Sequence, residues 1–162
     1  MKNFERAYYE HYRTLWAIAV KMLGDEPAAE DVLQDVFTAY YQQSREDGRI
    51  RNPKSWLASA TVHKCSDVIA YRSRYVEIEQ VANTVCEDDA LAKKLQLSDL
   101  QKILAQLSDK ERQLAVLYSE GFSYREIADI TQMRFTSVGK TLSRIMNKLY
   151  DILKSMNYEM PK

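Results

Sequence analysis

Three stretches near the end of the chain decide its predicted fold: LSDKER at residues 107–112, GFSYREIA at 121–128 and SVGKTLSR at 137–144. The first two contain the pattern Ser-x-x-Glu, in which the serine oxygen accepts a hydrogen bond from a first-turn amide while the glutamate reaches back to the serine amide. Each pattern therefore predicts the start of a helix. Gly121 lies between them and tolerates the positive φ of a sharp turn. Together these stretches predict a helix-turn-helix.

A final helix follows, and its apolar residues recur at steps of four and three. They are Val138, Leu142, Ile145, Leu149 and Ile152. Because this stripe is expected to face the core, the opposite face is expected to be exposed. That face carries small polar and basic groups, which are the types that contact base edges and phosphates in the DNA major groove. The candidate DNA contacts are Arg125, Thr136, Ser137, Lys140, Thr141, Arg144 and Lys148, of which Arg125 lies on the preceding helix and Thr136 is also a candidate helix cap.

The remainder of the chain also reads as helical, because 162 residues contain only four glycines and three prolines and the apolar residues recur at three and four positions. We predict a first helix at residues 4–23, a second from after Pro27 to about Gln43, and a third at about 54–71. The predicted buried positions are Tyr8, Tyr12, Leu15, Ala19 and Met22 in the first helix and Val32, Leu33, Val36, Phe37 and Tyr40 in the second.

The helical pattern weakens between residues 76 and 87 and returns at Leu91, which predicts a linker between two domains. An ordered helix that continues the first bundle is the alternative for this segment. The predicted fold is therefore all-α, with two small helical domains joined by a short linker and a helix-turn-helix in the second. The predicted boundaries are residues 1–75 for the first domain, 76–89 for the linker and 90–162 for the second domain.

Charge and composition limit the classes of function. The 23 basic residues are balanced by 23 acidic ones, so the chain is not expected to hold nucleic acid tightly by itself. Its two cysteines and two histidines show no metal-ligand spacing and no disulfide framework, which favours the reducing cytoplasm and no metal or other cofactor. We expect neither a signal peptide nor membrane insertion, because the apolar runs are short and interrupted by charges. Nothing resembles a catalytic constellation or a phosphate-binding glycine loop, so we expect no enzyme and no small-molecule substrate.

The second predicted helix contains AEDVLQDVF at residues 29–37. Spacings of three and four place Asp31, Gln34 and Asp35 on one helical face. Taken alone, this pattern indicates an amphipathic helix with a solvated acidic side. The stretch is also similar to the motif Ala-Glu-Asp-x-x-Gln-x-x-Phe of the sigma-70 family of transcription initiation factors.

Further motifs extend this resemblance to nearly the whole chain. As in the sigma-70 family, Gly24-Asp25 precedes the motif, and Trp56-Leu57 and Arg72-Ser-Arg74 follow it. The predicted helix-turn-helix resembles the promoter-reading C-terminal domain of the same family. With only a short segment between the two parts, no room remains for a middle domain. That organisation is typical of the extracytoplasmic-function group of sigma factors.

The resemblance implies how the first domain works. In the family, this helix docks on a coiled coil of the large catalytic subunit of core RNA polymerase, which makes Asp31, Gln34 and Asp35 the expected contacts with basic partner residues. A flipped base of the melted −10 element is held by the loop after the docking helix and by the next helix. The residues implied for −10 DNA are Arg49, Arg51, Asn52, Lys54, His63, Lys64, Asp67 and Arg72. Trp56 is predicted to be a core residue, with base stacking as the alternative.

In the second domain the resemblance implies that the final helix reads the −35 element in the major groove. Gln132 and Arg134 stand where family members usually have glycine and a serine cap, so the start of this helix is open. The expected partners are core RNA polymerase, promoter DNA and, as is common in the family, an anti-sigma factor. The expected function is to direct core polymerase to promoters for transcription initiation.

Two other functions also fit parts of the sequence. A free-standing helix-turn-helix transcriptional regulator needs only the second domain and binds duplex DNA without polymerase. A protein-interaction module that has lost promoter activity keeps the docking helix but tolerates loss of Lys140 and Arg144. A charged outer helix face, considered by itself, is usually solvated surface.

Overall fold

A computed structural model describes residues 2–46, 50–79 and 99–156, with side chains described for residues 3–46, 50–75 and 99–156. These residues form helices and no strand, so the all-α prediction is confirmed. They divide into two compact units between Gln101 and Lys102. The helices are α1 (Lys2–Leu23), α2 (Glu26–Glu46), α3 (Pro53–Glu79), α4 (residues 99–105), α5 (Asp109–Ser119), α6 (Tyr124–Thr131) and α7 (Phe135–Ser155).

In the first unit, α1, α2 and α3 pack against one another around a single core. Gly24 has a φ of +68° and lets the chain turn sharply from α1 into α2. The turn is closed by a hydrogen bond of 2.7 Å from the Gly24 amide to the Val20 carbonyl. The largest fully buried side chains of this core are Leu15, Ile18, Met22, Leu33, Leu57 and Val62.

The predicted buried positions are right for α2 and partly wrong for α1. All five positions predicted in α2 are buried. In α1, Tyr8 was predicted to be buried but is 36% exposed, and Ala7 and Ile18 take core positions that the prediction omitted. An aromatic ring is long enough to lie over the core while leaving its edge in solvent, so tyrosines are a poor guide to which face is buried.

The helices of the first unit are longer than predicted. α2 extends to Glu46, and α3 runs from Pro53 to Glu79, so residues 76–79 of the predicted linker are helical. A proline is well placed at the first position of a helix because it needs no amide partner there. After Pro53, α3 contains no glycine or proline that would end the helix. A helix that extends beyond its core needs no apolar stripe, so hydrophobic periodicity does not show where it ends. Residues 80–89 of the predicted linker lie outside the described residues.

In the second unit, α5, α6 and α7 pack pairwise against one another. Gly121 follows α5 with a φ of +84°, as the turn required. Four of the five apolar positions predicted in α7 are buried, and Leu149 is half-buried. The fully buried side chains that hold this unit together are Leu114, Leu117, Ile127, Ile130, Val138 and Ile145.

Candidate nucleic-acid interface

Two capping boxes position the helix-turn-helix. The Ser108 hydroxyl accepts from the Glu111 amide at 3.2 Å, and the Glu111 carboxylate accepts from the Ser108 amide at 2.8 Å. At α6, the same reciprocal pair joins Ser123 and Glu126 at 3.1 and 2.9 Å. Both predicted helix starts are therefore confirmed, and each satisfies two amides that would otherwise lack an intrahelical partner.

A three-residue turn joins α6 to α7. Gln132 ends α6 in the left-handed region with a φ of 57°, a conformation in which glycine is favoured. Arg134 is the N-cap of α7 and makes no side-chain capping hydrogen bond. The prediction that Thr136 caps this helix is wrong, because α7 already begins at Phe135 and Thr136 lies within its first turn. The short turn fixes where the outer face of α7 begins.

The outer face of α7 carries the polar residues that the sequence predicts for DNA. Lys140 and Arg144 are exposed, while Ser137 and Thr141 are half-buried. The Thr141 hydroxyl donates to the Ser137 carbonyl at 2.8 Å, and the Arg144 guanidinium donates to the Thr141 oxygen at 3.4 Å. These bonds hold Thr141 in place and align Arg144 with it along the helix.

Two of the predicted −35 contacts also hold the second unit together. The Lys148 ammonium lies 3.1 Å from the Glu111 carboxylate, which ties α7 to the start of α5. The Ser108 amide and the Lys148 ammonium lower the pKa of Glu111 below its ordinary value, so that the carboxylate stays charged. The Arg125 guanidinium lies 5.5 Å from the ring centre of Phe135, within cation–π range. Phe135 is half exposed and was missed, although an aromatic residue at the start of a polar helix face was visible in the sequence.

The predicted polymerase-binding residues share one exposed face of α2. Asp31, Gln34 and Asp35 are all exposed, and the buried residues of α2 lie on the opposite face. The Asp35 carboxylate lies 3.5 Å from the ammonium of Lys64 on α3. An exposed pair of this kind contributes little to stability, so it is easily exchanged for another partner.

Predicted −10 residues meet at a cavity of about 720 Å³ in the first unit. Arg51, Asn52 and Lys54 line it. The Asn52 side chain also accepts from the Ser55 amide at 3.2 Å, which fixes the start of α3. Arg49 lies outside the described residues. The sequence reasoning missed four side chains that line the same cavity from α1 and α2, namely Arg6, His11, Tyr41 and Arg45.

The missed residues make this cavity basic and aromatic. Arg6 is paired with Glu10 at 2.8 Å, and the Arg45 guanidinium lies 5.6 Å from the ring centre of Tyr41. Burial lowers the pKa of His11, so its ring is neutral over most of the physiological range. These residues are distant in sequence from the loop that suggested the site, so no local pattern could have identified them.

The remaining predicted −10 residues lie along α3 and do not line the cavity. His63, Lys64 and Asp67 are exposed, and the His63 ring is held by the Ser59 carbonyl at 2.7 Å. Arg72 instead donates to the Leu23 carbonyl at 2.9 Å and lies 3.5 Å from the Asp25 carboxylate, which fastens α3 to the α1–α2 turn.

Trp56 and Cys65 are part of the framework around these sites. The Trp56 ring is half-buried and packs edge-on against the buried Tyr40 ring, with centres 5.5 Å apart. This packing supports the core role predicted for Trp56. Cys65 is fully buried, and burial raises its pKa to about 12, which leaves the thiol protonated and unreactive.

In the part of the chain that the structure describes, no group of three or more histidine, cysteine, aspartate or glutamate side chains is arranged to hold a metal ion. Within residues 2–46, 50–79 and 99–156, no helix is long and apolar enough to cross a membrane.

Comparison with known proteins gives matches to both units. Residues 7–75 match the sequence family Sigma-70 region 2, and residues 97–149 match Sigma-70, region 4. The sigma factor RpoE from Bartonella quintana, solved in complex with the anti-sigma factor NepR, is 26% identical with a TM-score of 0.69, covering 95% of this chain and 98% of that one. CnrH, solved in complex with the cytosolic domain of CnrY, is 22% identical with a TM-score of 0.73, covering 95% of this chain and 89% of that one. No curated protein sequence matches the chain.

Proposed function

Because the chain belongs to the sigma-70 family and directs core RNA polymerase to promoters, we propose a division of this work among its residues. Residues 1–75 form the polymerase-binding and −10 domain, residues 76–89 the linker, and residues 90–162 the −35 domain. The observation that carries the proposal is that the first matched region lies within the first unit, whereas all but the first five residues of the second matched region lie within the second unit. Each unit presents an exposed polar helix face. This organisation is that of the extracytoplasmic-function group.

Docking on polymerase uses the exposed face of α2. Asp31, Gln34 and Asp35 meet basic residues of the partner, and charge complementarity sets the orientation and the rate of association. The net charge of zero supports docking on polymerase before DNA is bound. A chain without excess positive charge gains DNA affinity only as part of the polymerase complex.

The basic cavity beside α3 holds a flipped base of the melted −10 element. Extruding a base costs a few kcal/mol, which stacking and hydrogen bonds in the pocket must offset. Tyr41 supplies a ring face, and Arg51 and Asn52 supply hydrogen-bonding groups. Lys64, His63 and Asp67 contact the neighbouring single strand along α3.

The outer face of α7 enters the major groove at the −35 element. Lys140 and Arg144 are the exposed basic groups, with Ser137 and Thr141 between them. Arg125 and Lys148 contact phosphates at the edges of this face, where they position the helix without reading bases. The chain itself catalyses no reaction and acts in the cytoplasm together with polymerase.

The docking assignment is tested by charge reversal. Asp35→Lys in the full chain is expected to lower its affinity for core polymerase at least about tenfold, because it places like charges together at the contact. Glu46→Lys changes the same charge at the exposed end of α2 and is the matched control. The measurement is co-elution with purified bacterial core polymerase. Equal retention of both variants would remove α2 from the docking surface.

The DNA assignment is tested in the assembled complex. Arg144→Ala is expected to reduce promoter-dependent transcription by about tenfold or more, because a bidentate base contact is worth roughly 1–3 kcal/mol. Lys154→Ala, on the exposed end of the same helix, is the control. Gel shifts with and without core polymerase separate this function from that of a free-standing regulator, which would bind promoter DNA alone.

A further inference from the structure

One ion pair in the first unit joins the proposed polymerase-binding face to the proposed −10 face. The Asp35 carboxylate on α2 lies 3.5 Å from the Lys64 ammonium on α3. Asp35 belongs to the polymerase-binding face, whereas Lys64 belongs to the −10 face. Among the described residues, neither side chain forms a second ion pair. Each of the two side chains therefore neutralises a charge that the opposite face needs for its own partner.

Both side chains are accessible to a partner, although the helices that carry them are fixed. The Asp35 side chain is 62% exposed and the Lys64 side chain is 46% exposed. The next residue along each helix, Val36 or Cys65, is buried in the core of the first unit. α2 and α3 also pack directly against each other. Exchange of the ion pair therefore requires rotation of two side chains and no movement of either helix.

The length of the contact shows that the pair is loosely held. Charge-assisted hydrogen bonds between an ammonium and a carboxylate are about 2.7–2.9 Å long. At 3.5 Å the contact between Lys64 and Asp35 is longer than such a bond. An exposed pair of this kind changes an equilibrium constant by about fivefold at most. An arginine of a partner protein can bind both carboxylate oxygens at once, so it can displace Lys64 from Asp35.

We propose that core polymerase and Lys64 compete for Asp35, so that docking on polymerase releases Lys64 to bind a phosphate of the −10 strand. This exchange rests on the proposed function. A basic polymerase residue beside Asp35 repels the Lys64 ammonium, and a phosphate of the single strand along α3 gives the ammonium a new partner. In the free chain, Asp35 instead neutralises Lys64 and weakens its attraction for DNA.

The exchange couples the two binding events. Docking removes the partner of Lys64, and binding of Lys64 to DNA removes the partner of Asp35. By thermodynamic linkage, the factor by which polymerase raises the affinity for the −10 strand equals the factor by which that strand raises the affinity for polymerase. For one exposed ion pair, we expect this factor to be about twofold to fivefold. The coupling favours −10 binding by the polymerase complex over binding by the free chain.

The competition is tested first without DNA, through the affinity of the fluorescently labelled full chain for purified bacterial core polymerase. Lys64→Gln is expected to tighten binding about twofold to fivefold, because Asp35 then has no partner to give up. Arg74→Gln removes the same charge at another exposed position of α3 and is the matched control. Fluorescence anisotropy measures both affinities, and thermal melts check that each variant is folded. Unchanged or weaker binding of Lys64→Gln, or an equal gain in the control, would overturn the proposal.

A double-mutant cycle assigns the gain to Asp35. In the Asp35→Asn background, Lys64→Gln is expected to leave the affinity for polymerase unchanged, because the carboxylate for which the two compete is absent. In the Asp31→Asn background the full gain is expected to remain, since Asp31 lies one turn earlier on the same exposed face and the partner of Lys64 is Asp35. A gain that persists with Asp35→Asn would indicate general charge repulsion and would overturn the proposal.

The release of Lys64 is tested with the chain alone and a fluorescent single-stranded DNA of mixed sequence, about twelve nucleotides long. Asp35→Asn is expected to tighten binding about twofold to fivefold at low salt. It should also steepen the slope of log affinity against log salt by about 0.7, the value for one phosphate contact. Glu46→Gln, at the exposed end of α2, is the matched control. The proposal fails if Asp35→Asn gives no gain, or if the gain survives the addition of Lys64→Gln.

The same variants separate failure of the exchange from failure of the proposed function. Asp35→Asn alone is expected to weaken binding to polymerase, because it removes a charge from the docking face. If it does not, the docking role of Asp35 is wrong and the exchange is overturned with it. If Asp35→Asn weakens docking while Lys64→Gln fails to tighten it, the docking role stands and the exchange alone is overturned.

Discussion

In the second unit, α5 and α6 each begin at a reciprocal serine–glutamate box, whereas in the first unit the corresponding caps of α2 and α3 are single hydrogen bonds. Asp25 accepts from the Ala28 amide at 3.4 Å at the start of α2, and Asn52 caps α3 at 3.2 Å. The first unit adds a long-range fastening, in which Arg72 joins α3 to the α1–α2 turn. Local hydrogen bonds therefore define where the helices of the second unit begin, whereas a tertiary contact fastens the helices of the first unit together.

The largest expected effect comes from the core of the first unit. Leu57→Ala removes a fully buried side chain and is expected to lower the free energy of unfolding by about 3 kcal/mol. Both tryptophans, Trp16 and Trp56, lie in this unit, so tryptophan fluorescence during urea denaturation reports on it alone. Leu117→Ala, in the core of the second unit, should instead shift a transition seen by circular dichroism. If each variant moves both transitions equally, the units do not fold separately.

The next largest loss of stability is expected when the contacts between Arg72 on α3 and the α1–α2 turn are removed. Arg72→Ala is expected to destabilise the first unit by about 2 kcal/mol, because a charged hydrogen bond to the Leu23 carbonyl is lost in a partly buried place. Arg74→Ala, on the exposed side of α3, is the matched control. The measurement is again the urea midpoint by tryptophan fluorescence. A change no greater than that of the control would mean that packing alone fixes the turn.

Loss of the capping box at α6 should lower stability by less than loss of the Arg72 contacts, and it should affect the second unit. Ser123→Ala is expected to lower the stability of the second unit by about 1 kcal/mol, because the Glu126 amide loses its acceptor. Ser143→Ala, at an exposed position within α7, should change stability far less. Circular dichroism of the full chain measures the shift, and the tryptophan signal should stay constant. A shift in that signal would show that the cap acts beyond its own unit.

Gln132 offers a stabilising change in the same unit. Gln132→Gly is expected to raise stability by roughly 0.5 kcal/mol, since relief of a left-handed φ outweighs the greater freedom of glycine in the unfolded chain. Gln132→Ala keeps a side chain in this conformation and should give no such gain. A loss of stability in the glycine variant would mean that the Gln132 side chain stabilises the folded unit by more than its left-handed backbone conformation destabilises it.

The smallest expected effect is the pH dependence of the first capping box. Because the pKa of Glu111 is lowered by the Ser108 amide and Lys148, its charged form stabilises the folded unit above the ordinary value of 4.5, and this contribution disappears as pH falls through the folded-state pKa. Glu111→Gln keeps the capping geometry without the charge. The stability difference between the two proteins should therefore be largest at neutral pH and shrink in acid. Asp151→Asn, at an exposed position of α7, is the control for replacing a carboxylate by an amide.

The contrast between the units also explains how far the sequence could predict the fold. Both capping boxes and the turn at Gly121 are contained within a few consecutive residues, so the starts of α5 and α6 and the turn between these helices were predictable. The end of α3 was missed because no glycine or proline near Glu79 marks it, whereas the end of α2 was placed about three residues early although Gly48 follows Glu46 closely. Thr136 was chosen as a cap from residue type alone, whereas backbone geometry makes Arg134 the cap.

The candidate sites also differ in how far the sequence could predict them. Helical periodicity predicts which residues share one face of a helix, as it does for Asp31, Gln34 and Asp35. In the structure all three are exposed on the same face of α2. The cavity beside α3 needs residues from three separate segments, so Arg6, Tyr41 and Arg45 could not be foreseen. Arg72 looked like a DNA contact in sequence, yet its hydrogen bonds are to the α1–α2 turn.

In the proposed −35 complex, the bond from the Thr141 hydroxyl to the backbone of its own helix would limit the bases that this position recognises. Its hydrogen is committed to the Ser137 carbonyl, so only a lone pair on the oxygen remains for a base. An amino group, as on adenine or cytosine, satisfies that lone pair, whereas the purely accepting edge of guanine does not. Selecting guanine at this position would require the hydroxyl to rotate and give up a bond worth about 1 kcal/mol. A hydroxyl can both donate and accept a hydrogen bond, but the Thr141 hydroxyl is thus available to a bound base only as an acceptor.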